Sequence, residues 1–215
     1  LVHTSPVPVA SSLHEYARNG HYDSLLIGRR GVGKVGELLM GSVSADLVRE
    51  CHDVPIWMID GDVSSTRFLL ATHGCPCSLL AADHLAFILS SNPKAEVYLY
   101  HSNAVFKSSP PAPPEAFYNQ WGKEWCQRHL DLDNHLYEAH RRILLENNFP
   151  EEKIHMIQPH RDLEVGHDLL RQAGKHECGT IVIGRRSRET VKGIWGGVSD
   201  RTMQNAQDMA VWMVG

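Results

Sequence analysis

The sequence predicts an α/β fold built on a doubly wound, largely parallel sheet. Two observations predict it: apolar runs of strand length alternate with stretches of helical periodicity, and part of that pattern occurs twice. A strand end at 1–3, a helix over about 8–19, a strand over 23–28, a helix over about 41–51 and a strand over 55–59 open the chain. Residues 60–66, DGDVSST, are polar, contain a glycine for turning and read as a linker. The apolar run RFLLATH at 67–73 gives the next strand, and CSLLAADHLAFILSS at 77–91 sets Leu79, Leu80, Ala82, Leu85, Ala86 and Leu89 at helical spacing. A strand at 96–102 follows the Asn92-Pro93 turn. The Pro-rich segment SSPPAPP at 108–114 cannot hold regular structure. A long helical region spans about 115–148, with a break near 131–134. A strand at 153–158, a helix over 162–177, a strand at 180–184, a helix over about 198–207 and a strand at 209–214 complete the order.

The 215 residues amount to about 1.4 times the ~150-residue prior for one domain. With 42% hydrophobic and 21% charged residues, usage is that of an ordinary globular chain, which excludes disordered, collagen-like and coiled-coil classes. Lys and Arg number 21 against 25 Asp and Glu, a formal charge of −4, so a nucleic-acid binder relying on phosphate neutralisation is excluded. No apolar run is long enough to span a membrane, and the N-terminal LVHTSPVPVA has neither a basic nor a hydrophobic signal region, so a cytoplasmic protein without membrane contact is expected. Five cysteines, Cys51, Cys75, Cys77, Cys126 and Cys178, form no disulfide framework and suit a reducing compartment.

The internal repeat joins 22–61 to 178–215. Each copy reads as apolar strand, Gly-Arg-Arg, loop, glycine, Val-Ser, helical stretch and a strand containing Trp-Met. Gly28 against Gly184 gives an offset of 156 and Trp57 against Trp212 gives 155, so the second copy is one residue shorter in its loop. The chain opens on Leu1. Repeat period and typical domain size imply that roughly 80–100 residues, holding the first two strands of the leading unit, precede it.

In an open α/β sheet, ligands bind beyond the carboxyl ends of the strands, where a helix N-terminus offers free N–H groups to phosphate. The segment GRRGVGKVGELLMGSVS occupies that place after strand 23–28. A Walker A reading uses Gly28, Gly33 and Lys34, with Asp60 as a Walker B carboxylate, but Val35 replaces the metal-binding hydroxyl and the second copy lacks Gly-Lys. A dinucleotide fingerprint at Gly31, Gly33 and Gly36 starts too far past the strand. The third reading takes the glycine frame that the copies partly share: Gly28, two residues, Gly31, nine residues, Gly41, then Ser42 and Val43. Glycines there let the backbone approach phosphate without a Cβ, and Gly41, Ser42 and Val43 supply N–H groups and a hydroxyl at a helix start.

That frame, with the downstream helix and the strand VPIWMI, resembles the nucleotide-phosphate signature of the universal stress protein family. The resemblance implies a Rossmann-like, adenine nucleotide hydrolase-like fold in tandem, with 1–61 as the C-terminal part of one domain and 66–215 as a complete second. It implies ATP or AMP, with or without Mg²⁺, bound by Gly28, Arg29, Gly31, Gly41, Ser42 and Val43. The second copy departs from the pattern. Ser187 stands for Gly31, Gly197 falls at the Ser42 position ahead of Val198, and His73 stands where the family has an Asp on the nucleoside side, so Gly184 and its neighbours are degenerate counterparts.

Other residues carry weaker chemistry. His73, Cys75, Cys77 and His101 lie at two neighbouring strand ends and are a candidate Zn²⁺ or Cu site, although C-x-C lacks the spacer of zinc knuckles. Cys75 at a helix start is a candidate oxidisable thiol. Arg29 and Arg30, repeated as Arg185 and Arg186, suit phosphate contacts or pairing between the halves equally. No Ser-His-Asp or paired-carboxylate constellation can be placed, so at most a slow ATP hydrolase is expected. Asp162 reads as a first-turn acid of its helix, and Glu138 with Arg142 as an i,i+4 pair. The strands 55–59 and 210–214 are too apolar to be left as bare edges and are expected to join the two halves as a pseudo-dimer, a second copy being the alternative cover. The functional expectation is a nucleotide-responsive binding module with adenine nucleotide as its partner; a nucleotide-free interaction scaffold is the competing class.

Overall fold

Alternation along each central strand sorts apolar residues to two faces, and each face meets its own layer of helices. The computed structural model describes residues 8–29, 40–104, 110–160, 162–186 and 197–215. Seven strands form one sheet: β1 (Leu25–Gly28), β2 (Ile56–Ile59), β3 (Arg67–Ala71), β4 (Glu96–Tyr100), β5 (Ile154–Ile157), β6 (Thr180–Gly184) and β7 (Ala210–Val214), in the order β1-β2-β7-β6-β3-β4-β5. On one face Phe68, Leu70, Val97, Leu99, Val182 and Trp212 join a core with α3 (Pro76–Leu89) and α6 (Tyr137–Glu146). On the other, Leu69, Ala71, Ile181, Ile183, Val211 and Met213 pack with α1 (Val9–Asn19), α2 (Ser42–Glu50), α7 (Val165–Lys175) and α8 (Val198–Asn205). All seven expected strands are present; the strand end expected at 1–3 lies outside the described residues.

From β3 the chain steps outward through β4 and β5, then returns to β6 and β7 on the other side, every pairing parallel. β1 and β2 form a second parallel pair. The two groups meet through β2 and β7, which run antiparallel with Trp57 opposite Trp212. These are the two apolar strands expected to cover one another. The pairing is close to two-fold: Arg29 N–H donates to Ile59 O, and Arg185 N–H donates to Val214 O, at the same positions in the repeat.

The region 115–148 is more broken than its composition suggests. A 3₁₀ turn at Pro114–Phe117 leads into the short α4 (Tyr118–Trp121), Gly122 at φ +76° turns the chain, and α5 (Lys123–His129) follows. Only a glycine adopts that backbone without strain. The expected break near 131–134 is a further 3₁₀ turn, and the Asp131 carboxylate accepts the Glu138 and Ala139 N–H groups at 2.8 and 3.3 Å, stopping the open end of α6. Two local expectations are corrected. Asp162 precedes α7 and pairs with Arg171 at 3.1 Å, while the first-turn acid is Asp168. Glu138 pairs with Arg141, and the i,i+4 pair is Arg142 with Glu146.

Candidate functional site

β1 ends at Gly28 and α2 begins at Ser42, so the two ends of the glycine frame are brought together at the carboxyl edge of the sheet. Two hydrogen bonds close that approach: Gly41 N–H donates to Arg29 O at 2.9 Å, and Ser44 Oγ donates to Gly28 O at 2.8 Å. Ser42 and Val43 are exposed on the first turn of α2, which carries no acidic residue and, among the described residues, no side-chain cap. Its N–H groups form a positive helix end, suited to an anion. Gly31 lies outside the described residues.

Arg29 is placed differently from the phosphate role. Its side chain is 2% exposed, and its guanidinium donates to the carbonyls of Gln204 and Ala206 and faces Asp60 at 3.4 Å. Arg185, its repeat counterpart, donates to Cys51 O at 3.1 Å, and Cys51 and Ala206 are themselves counterparts at the 155-residue offset. For Arg29 and Arg185, pairing between the halves is the role the geometry provides; Arg186 meets His73 within the second half, and Arg30 lies outside the described residues.

The second copy is built otherwise. Gly184 ends β6, Gly197 precedes α8 and Val198 opens it, while Ser187 lies outside the described residues. A Cβ on Gly184 would overlap the Cys77 carbonyl, so this glycine answers to the packing of α3 against β6. The first turn of α8 carries Asp200, where α2 has Ala45. A carboxylate there satisfies the helix end and opposes a phosphate.

The crevice beyond β3, β4 and β6 is lined by protein. His73 Nε2 accepts from Arg186 Nη2 at 3.3 Å, His101 donates through Nδ1 to Thr72 O at 2.9 Å, and the His101 and His135 rings stack at 3.9 Å. Pro111 lies against Gly74, leaving no room for a Cβ there. Cys75 and Cys77 are joined in a disulfide, a single short-range bridge rather than a framework. This corrects the candidate metal site: with both sulfurs bonded to each other the set His73, Cys75, Cys77 and His101 has no thiolate to give a metal. Cys51, Cys126 and Cys178 remain free and buried.

Beside this crevice sits a pair that spacing could not reveal, its members 62 residues apart. His140 donates through Nδ1 to Leu136 O at 2.6 Å, so its Nε2 accepts the Ser78 hydroxyl at 2.7 Å. The arrangement has the polarity of a nucleophile and its base, but Ser78 is 1% and His140 0% exposed, so no substrate reaches it. Burial holds His140 down to about 4, from an ordinary 6.5. Burial, reinforced by Arg186, holds His73 down to about 4 as well. Both rings stay neutral in the folded protein where an unfolded histidine takes up a proton. Their contribution is thus complete above pH 6.5 and is lost as pH falls toward 4, reaching about 3 kcal/mol for His140 alone. Urea midpoints measured from pH 7 to 4.5 should fall steadily, and His140→Gln should flatten the fall; an unaltered slope in that variant would remove His140 from the account.

Residues 2–59, which include β1, α2 and β2, match the sequence profile of the universal stress protein family. The match covers 58 of the 215 residues. No curated protein matches this chain in sequence. Among solved structures it is similar to a universal stress protein from Archaeoglobus fulgidus, at 16% identity and a TM-score of 0.58, over 95% of this chain and 64% of that one. It is also similar to a functionally unknown protein from Pseudomonas aeruginosa, at 13% identity and a TM-score of 0.55, over 98% of this chain and 68% of the other. At such identities the likeness concerns the fold. The chain spans just under two-thirds of the length of the Archaeoglobus protein. Among the described residues no helix is long and apolar enough to cross a membrane.

Proposed function

We propose that this chain is a universal stress protein whose first half binds an adenine nucleotide, ATP or AMP, with its phosphates on the N-terminus of α2, and whose second half is its structural partner. One contrast carries the reading: Gly28, Gly41 and Ser42 meet at a helix start whose first turn holds no acidic residue, whereas the equivalent turn of α8 holds Asp200. Residues 1–61 are then the C-terminal part of one universal stress domain and 66–215 a complete, degenerate second. The two form a pseudo-dimer through β2 and β7. Mg²⁺ accompanies ATP as its counter-ion. The role is that of a cytoplasmic, nucleotide-responsive stress module; the one Ser-His pair described is sealed from substrate, which argues against efficient hydrolysis.

Calorimetric titration of the chain with ATP and AMP tests this. Saturable binding is expected, together with its loss in Gly41→Asp, whose carboxylate repels phosphate while the melting temperature without nucleotide stays the same. No heat and no ATP-induced thermal shift in the folded wild type, or equal binding by Gly41→Asp, would overturn it. A nucleotide-free interaction scaffold is the second reading. It is favoured by the commitment of Arg29 to the joint and by the protein-lined crevice of the second half.

A further inference from the structure

At the opposite end of α2 from the glycine frame, three side chains of different chemistry converge. His14 comes from α1, Cys51 closes the C-terminus of α2, and Asp53 lies in the turn leading to β2. A ring nitrogen, the thiol sulfur and a carboxylate oxygen from these residues all lie within 4.8 Å of one another. We propose that His14, Cys51 and Asp53 form a binding site for a divalent transition cation, zinc by the chemistry of its donors, peculiar to the first half of the chain.

Nitrogen, sulfur and oxygen donors in one cluster match the ligand types that zinc accepts, and three protein ligands leave a fourth position for water. The cluster is graded in depth. Cys51 is 1% exposed, the His14 side chain 19% and Asp53 47%, so a cation enters from the carboxylate side and meets the sulfur last. The donors come from three places along the chain and are already gathered, so coordination needs side-chain adjustment alone. His14 Nε2 now shares a short hydrogen bond with Asp53 Oδ1, and the two must part slightly to admit an ion.

The internal repeat supplies a control. At the 156-residue offset that relates α1 to α7, His14 corresponds to Leu170. At the 155-residue offset beyond the loop, Cys51 and Asp53 correspond to Ala206 and Asp208. In the second half, α7 packs on α8 with an apolar leucine and a fully buried alanine at these positions. The helix-on-sheet contact itself thus requires neither an imidazole nor a thiol. Packing explains Leu170 and Ala206 and leaves His14 and Cys51 over.

Binding exchanges protons for metal. The Cys51 thiol donates to Val54 O at 3.4 Å, and burial, with Asp53 nearby, raises its pKa. A cation therefore displaces the thiol proton to form the metal–thiolate bond, and affinity rises with pH. Arg18, near Asp53, and Arg185, on the Cys51 carbonyl, place positive charge beside the site and oppose the cation. The expected affinity is accordingly below that of closed structural zinc sites.

Cobalt(II) titration of the intact chain, without added thiol, is the test. One equivalent of Co²⁺ should give a thiolate-to-cobalt charge-transfer band in the near ultraviolet with visible tetrahedral bands, all removed by Zn²⁺. Cys51→Ser should abolish the charge-transfer band. His14→Ala and Asp53→Asn should each weaken binding by about tenfold or more, while Asp208→Asn should leave it unchanged. Circular dichroism identifies the variants that fold. A folded wild-type chain that takes up no Co²⁺, binds it without the thiolate band, or binds it equally well in Asp53→Asn would overturn the proposal. None of these outcomes depends on nucleotide binding.

Discussion

Arg29→Ala should destabilise the protein by about 3–5 kcal/mol, read as a lowered free energy of unfolding in urea. The guanidinium is 2% exposed and joins α8 and the approach to β7, through the carbonyls of Gln204 and Ala206, to the end of β1. It also faces the buried Asp60 carboxylate, which accepts the Asp208 N–H at 3.4 Å. Truncation removes donors from two carbonyls and the cation opposite a carboxylate that is 6% exposed. Removing one member of such a set is far costlier than never having built it, because the partner stays buried. Arg29→Lys should recover part of the loss, since an ammonium keeps the charge but cannot offer the fork that reaches both carbonyls. The same variant separates the two roles the sequence leaves open. A phosphate ligand would leave the nucleotide-free stability intact on truncation, and a loss below about 1 kcal/mol would return Arg29 to that role.

Why the sequence discloses the sheet and conceals these contacts follows from the range over which each is specified. Each strand is a local apolar run, and the apolar character of β2 and β7 let their joining be anticipated, while its antiparallel direction comes from the structure. The glycine frame is local too, and the meeting of Gly28 with Gly41 and Ser42 follows once β1 and α2 are placed. By contrast, the Ser78–His140 pair, the Arg29 contacts with residues 204 and 206, and the Asp168 carboxylate that accepts the Tyr100 and Ser102 hydroxyls at 2.6 and 2.5 Å all join distant segments. No period or spacing encodes those. The Cys75–Cys77 disulfide was concealed for another reason: an odd cysteine count argues against a framework but is silent about one short-range bridge. In 115–148 the helical composition outweighed the breaks, and Gly122 was the residue that could have marked the first of them.

Trp212→Ala should cost about 3–5 kcal/mol, the range for deleting a large aromatic side chain from a packed interior. Trp212 is 7% exposed and lies face to face with Trp57, ring centroids 4.1 Å apart and planes within 5°. Phe68 meets it edge-on at 5.4 Å, and α3 closes the stack with His84, whose Nε2 accepts the Trp57 indole N–H at 3.1 Å. The stack sits in the antiparallel register of β2 and β7, so a cavity there weakens the junction between the two strand groups as well as the core. Trp57→Ala should cost less, because that ring is only partly buried. In the double variant the two losses should fall short of adding by about 0.5–1.5 kcal/mol, the part that belongs to the aromatic pair itself. Near-ultraviolet circular dichroism offers an independent readout, since the coupled signal of two stacked indoles should vanish in either single variant. The core explanation and the junction explanation then separate by proteolysis. If the stack holds the halves together, either tryptophan variant should expose the 60–66 linker to cleavage at temperatures where Leu85→Ala, an α3 core truncation of similar cost, leaves it intact. Equal cleavage in all three would assign the tryptophans to the core alone.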